Sequence, residues 1–127
     1  MTIDPIVDPD LPLLRKQFAE LSSFQTFTLD AHQFSDGLHL LQIWQLWQEM
    51  RPENSSRLHI ISKENKPLSA QEVAQKLLKF PDLSNFATRL LAQYPPAISG
   101  VHRLIFYDER LTIDLWFGDV LKDLNIK

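Results

Sequence analysis

Cysteine is absent from the 127 residues, which excludes disulfides, thiolate zinc sites and cysteine nucleophiles and is consistent with a reducing compartment. No run approaches the roughly 20 apolar residues needed to span a bilayer. The acidic, proline-rich start "MTIDPIVDPDLP" has neither the basic n-region nor the apolar h-region of a secretory signal. The chain is therefore read as cytoplasmic. An excess of one charge is missing too: 13 Lys and Arg against 16 Asp and Glu leave a net charge of -3. That gives no electrostatic case for this domain alone to wrap nucleic acid, so RNA would be met only through a larger assembly.

What remains is an ordinary globular composition, 44% hydrophobic and 23% charged, long enough for one domain with a proper core. Residues 2–12 carry three prolines and three aspartates and read as an extended arm (1–12), with the folded domain over 13–127. Leu13, Leu14, Phe18 and Leu21 then fall at helical spacing. "FQTFTLDA" alternates Phe24, Thr26 and Thr28 against Gln25, Phe27 and Leu29 as a strand does, and Asp36-Gly37 punctuates the entry to a helix from about Leu38 to Met50, ended by Arg51-Pro52.

"RLHIISKE" is a compact β-branched run that reads as a buried strand. The helix after it opens on a capping box, Ser69 with Glu72, and Pro81-Asp82 starts another helix stopped by Tyr94-Pro95-Pro96. "VHRLIFY" and "RLTIDLWFGD" read as a β-hairpin joined at Asp108-Glu109. Strand, helix, strand, helices and hairpin in this order predict an α/β fold with a partly parallel sheet.

Side chains with chemistry are few. His32 and His39 flank the turn at a spacing of seven, but nothing matches a zinc pattern, so no metal site is predicted. His59 lies in an apolar strand and reads as a satisfied core imidazole. Asp108 and Glu109 read as turn-forming acids, and Ser55-Ser56 as a loop with no base organised near it. Lys76, Lys79 and Arg89 are interleaved with Glu72 and Asp82 and read as a solvated face.

The segments "LLQIWQLW", "LHIISKENKPLS" and "YPPAISGVHRLIFYDERLTIDLWFGD" resemble, in the same order, the methyltransferase domain of the MnmC family, over roughly Phe27 to Leu124. That family completes methylaminomethyl-thiouridine at the wobble position of tRNA. The resemblance implies a Rossmann-like methyltransferase half with a C-terminal β-hairpin. In the family a turn of the form E-x-G-F-G-T-G-L-N lets the backbone approach S-adenosylmethionine. The matching positions here run Ala31, His32, Gln33, Phe34, Ser35, Asp36, Gly37, Leu38, His39. The acid has become Ala31, two glycines have become Gln33 and Ser35, and only Gly37 remains. A side chain at these positions fills the ligand's space and penalises the turn.

Two further cofactor contacts implied by the resemblance survive: Glu64, matching the acid that pairs with the ribose hydroxyls, and Asp119, matching the residue that reads the adenine amino group. Without a ligand they read as a helix-side surface carboxylate and a helix N-cap. The family's later segment, D-x-x-x-x-D-G-F-x-P, which places the target amine, has no match after Asp119. Methyl transfer needs amine and sulfonium held in line. The reading is therefore a truncated, degenerate methyltransferase-like domain with no catalytic residue of its own, binding S-adenosylmethionine only if the vestigial Gly37, Glu64 and Asp119 site still works. It would act as a scaffold for an FAD-dependent oxidoreductase domain in the same or another chain. The alternatives are half of a tRNA methyltransferase completed by another chain, or a free-standing interaction module.

The same reading places the strand at Phe24–Leu29 beside an open edge. It predicts that residues 11–22 pack over that side and that the remaining apolar surface supports a two-fold homodimer.

Overall fold

In the computed structural model, which describes residues 10–118, the two hydrophobic periods of the sequence separate into two layers. The strands are β1 (Thr26–Gln33), β2 (Arg57–Glu64), β3 (Gly100–Phe106) and β4 (Leu111–Phe117); the helices are α1 (Leu11–Ala19), α2 (Leu38–Met50), α3 (Ala70–Leu77) and α4 (Ser84–Gln93). The strands form one sheet in the order β1-β2-β4-β3. β1, β2 and β4 run parallel, and β3 closes the far edge antiparallel to β4. The chain is α/β, as its element order predicts, and Rossmann-like, as the resemblance implies.

Local chemistry sets the helix ends. Asp10 accepts the backbone N–H of Leu13 and Pro12 occupies the first turn, so α1 begins at Leu11. α2 opens at Gly37, whose φ of 87° few other residues adopt cheaply, and stops where Pro52 follows Arg51. The box at α3 is complete: Glu72 N–H donates to Ser69 Oγ at 3.1 Å, and Ser69 N–H donates to Glu72 Oε1 at 2.8 Å. Phe24 falls outside the strand to which its alternation assigned it; β1 starts at Thr26, and Phe24 sits before it with φ 65° and its side chain 87% exposed.

The register aligns Phe27, Leu58, Leu111 and Phe106 across the four strands, and this row faces the helices. Phe18 of α1 meets Phe27 and Trp47 edge-on at 5.5 and 5.3 Å, and Trp44 of α2 packs on Phe86 of α4 and Phe106 of β3 at 5.5 and 4.5 Å. Trp44, Trp47 and Phe18 are fully buried. Residues 11–19 thus cover the β1 side of the sheet, through α2.

The opposite face carries no helix among the described residues. Burial along β2 alternates, with Leu58, Ile60, Ser62 and Glu64 buried and Arg57, His59, Ile61 and Lys63 not, so the β-branched run is a one-sided strand and not the doubly covered one its composition suggested. Across that open face His59 lies beside Thr112 and Ile61 beside Asp114, while Arg103 of β3 pairs with Asp114. Arg103 straddles the Asp114 carboxylate at 2.8 and 2.9 Å, and His59 Nε2 lies 2.7 Å from it. Long polar side chains lying over the strands do here what a helix layer does on the other side.

Candidate functional site

The cleft of interest lies where β1 ends and α2 begins, the place at which open α/β sheets take ligands. Phe34 N–H donates to Lys63 O at 2.7 Å, and the chain then turns back so that Gly37 N–H donates to Phe34 O at 2.8 Å. Ser35 takes a left-handed φ of 55° and Gly37 one of 87°. Asp36 Oδ1 accepts Leu38 N–H at 3.0 Å, tying the turn to the first residue of α2. Gln33, Ser35, Asp36, Leu38 and His39 line an open space of about 240 Å³.

Glu64 ends β2 against this turn and is almost wholly buried. Its Oε1 accepts the backbone N–H of Ser35 at 3.1 Å, and its Oε2 accepts that of Lys66 at 3.3 Å. Its main-chain oxygen accepts Gly118 N–H at 2.8 Å. Glu64 is thus not the surface carboxylate of the ligand-free reading: both of its oxygens hold backbone. A carboxylate already holding two N–H donors has less left to offer a ribose.

Beneath the turn an aromatic stack fills the top of the sheet. Phe34 is buried, and a Cβ on Gly37 would meet its ring at 3.2 Å. Tyr94 packs on Phe34 and Phe117 at 6.3 and 5.9 Å, and its hydroxyl donates to Leu68 O at 2.8 Å. Burial, with the charges of Glu64 and Glu72, pushes the Tyr94 phenol up to about 12. A Cβ on Gly118 would run into the Ser99 side chain, and its φ of 74° is one that residues with a side chain seldom adopt.

Of the three cofactor contacts that the resemblance implies, Gly37 and Glu64 both lie at this turn, and Asp119 falls outside the described residues. His32 and His39 belong to β1 and α2, so a helical spacing does not relate them. Among the described residues no group of three metal-ligating side chains occurs.

Two polar centres escape a reading of the sequence. Glu109 is no surface turn acid: it is buried, and both core indoles end on it, Trp44 Nε1–H donating to Oε1 at 3.2 Å and Trp47 Nε1–H to its main-chain oxygen at 2.7 Å. Arg89 pairs with the same carboxylate and Arg51 approaches it at 3.9 Å, so Arg89 is not part of a solvated basic face with Lys76 and Lys79. His59 is the half-buried partner of Asp114 on the open face and no member of the core. The guanidinium of Arg103, and then His59, hold the Asp114 carboxyl below its ordinary value, against the opposing effect of burial.

No family model matches the chain. Curated relatives do. The chain is 45% identical over 106 residues to the "tRNA 5-methylaminomethyl-2-thiouridine biosynthesis bifunctional protein MnmC" of Acinetobacter baylyi, covering 84% of this chain and 17% of that protein. It is 40% identical to the protein of the same name from Psychrobacter cryohalolentis, over 84% of this chain and 16% of that one. The Hahella chejuensis protein is 37% identical over 88% of this chain and 18% of its own length. The chain spans about a sixth of the length of these curated relatives.

Proposed function

Because this chain belongs to the MnmC family over the part of those proteins that it spans, we propose that it is a methyltransferase-like module of a tRNA-modifying protein that no longer uses S-adenosylmethionine. In this reading it serves as a non-catalytic scaffold for an FAD-dependent oxidoreductase domain in the same or another chain, and it meets tRNA only in that assembly.

The observation that carries the reading is the closure of the turn on itself. Glu64, the surviving acid, is bound to the Ser35 and Lys66 amides, and Gln33 and Ser35 stand where the family pattern has glycine. A ligand approaching the turn meets two side chains where the pattern has none and an acid whose two oxygens each already hold an amide. The residues present therefore do not fit the cofactor.

Calorimetric titration of the purified chain with S-adenosylmethionine tests the dead site. No heat beyond dilution is expected; saturable micromolar binding, lost in Glu64→Gln, would sink the proposal. The scaffold role is tested separately, by deleting residues 1–127 from the assembly in which the chain occurs and measuring whether the oxidoreductase remains soluble and active.

A further inference from the structure

Three stretches of chain meet at the carboxyl ends of the parallel strands: the turn at 34–35, the loop at 66–68 that follows β2, and the exit from β4 at 117–118. Two residues each touch all three. Glu64 accepts Ser35 N–H and Lys66 N–H with its carboxylate and Gly118 N–H with its main-chain oxygen. Tyr94 packs its ring on Phe34 and on Phe117 and donates its hydroxyl to Leu68 O. One set of contacts is polar and the other mainly apolar, and both join the same three stretches.

Each of the two is mounted on a fixed element. Glu64 ends β2 and is almost wholly buried. Tyr94 follows α4, whose last residue, Gln93, ties its side-chain amide to Ile105 of β3, donating to Ile105 O at 3.0 Å and accepting Ile105 N–H at 3.3 Å. The sheet and the helix layer thus supply one post each. Between them Ser35 sits at φ 55°, a conformation that costs energy in a residue with a side chain and that the bond to Glu64 helps to hold.

We propose that these three stretches open and close as one unit, with Glu64 and Tyr94 as its keepers, so that the turn at the cleft is coupled to the exit of the chain from β4. A molecule that draws the Glu64 carboxylate away from Ser35 also frees Lys66, unpins the end of β2 and weakens the hold on Gly118. By linkage the coupling runs both ways, and a contact that displaces the chain at Gly118 opens the turn by the same free energy. The state of the cleft is thereby reported to the segment that follows β4. The inference concerns the ligand-free chain and stands whether or not S-adenosylmethionine binds.

Native-state amide exchange of the full chain in low urea tests the coupling. The Ser35, Lys66 and Gly118 amides are expected to share one opening free energy, below that of the fully buried core residues Ile60 and Ile113. Tyr94→Phe removes a bond to Leu68 and touches none of the three amides, yet it is expected to speed all three by one common factor, roughly fivefold. Gly118→Ala places a Cβ against Ser99 at a φ that strains it, and it is expected to speed Ser35 and Lys66 as well. Should Gly118→Ala fail to fold, the wild type and Tyr94→Phe decide alone. Amides that open at three different free energies would overturn the proposal, as would Tyr94→Phe speeding fewer than all three. So would exchange of the three only together with Ile60 and Ile113, or a folded Gly118→Ala in which Ser35 is unchanged.

Discussion

Ser35 donates its backbone N–H to the Glu64 carboxylate at 3.1 Å across 29 residues of sequence, and this bond fastens the end of β2 to the turn that would otherwise receive a ligand. Glu64 also holds Lys66 N–H with its other carboxylate oxygen and Gly118 N–H with its main-chain oxygen.

Replacing Glu64 by alanine leaves the Ser35 and Lys66 amides without their acceptor. The expected loss is about 1–3 kcal/mol of folding stability, since a part-buried donor left unpaired costs its desolvation. Urea unfolding of Glu64→Ala against wild type measures it. An unchanged midpoint would mean that the carboxylate is free to serve a ligand and that its contact with the turn is incidental.

Glu109 should be the most sensitive charged position in the chain. Its removal in Glu109→Ala strands Trp44 Nε1–H in the core and leaves Arg89 and Arg51 facing each other without the anion between them. A loss of about 3 kcal/mol or more is expected, read as a fall in the thermal midpoint, whereas Asp108→Ala next to it, an exposed acid that meets Arg89 at the surface, should cost well under about 1 kcal/mol.

Asp114 supplies a pH signature. Its folded carboxyl is held below the ordinary value of 3.8, so the stabilisation is fully present above that pH and disappears as pH falls through the folded value. Wild type should therefore exceed Asp114→Asn in stability at neutral pH, and the two curves should converge only below pH 3.8. Convergence already at pH 5 to 6, or none in acid, would show that the Arg103 contact contributes nothing through charge.

Tyr94 acts at the other end of the scale. With its phenol pushed up to about 12, folding opposes ionisation, so stability is unaffected below the ordinary value of 10.0 and falls as pH climbs from there toward 12. Tyr94→Phe should flatten that alkaline slope while losing about 1 kcal/mol at neutral pH for the bond to Leu68 O.

Much of the scaffold was legible because its signals are local. Gly37 and Pro52 bracket α2, Ser69 and Glu72 start α3, and the alternation of Leu111, Ile113, Leu115 and Phe117 gives the buried side of β4. That Gln33 and Ser35 stand where the family pattern has glycine was legible too, but only against that pattern. What was not legible depends on register between distant strands. His59 and Asp114 are 55 residues apart and meet only because β2 pairs with β4, and Glu109 resembles any hairpin acid until the indoles of α2 are laid across it. The one-sided burial of β2 was hidden for a related reason, since Ile61 on the open face looks the same in sequence as Ile60 in the core. Phe24 misled because the alternation was carried two residues too far, through a left-handed residue that precedes the strand.

Gln93, the last residue of α4, folds its amide back on β3, donating to Ile105 O at 3.0 Å and accepting Ile105 N–H at 3.3 Å. The end of a helix and the rim of the sheet are thereby tied together, and the outward backbone groups of Ile105 are closed to an added strand. Gln93→Ala would reopen that one position of the rim while loosening the hold of α4 on it.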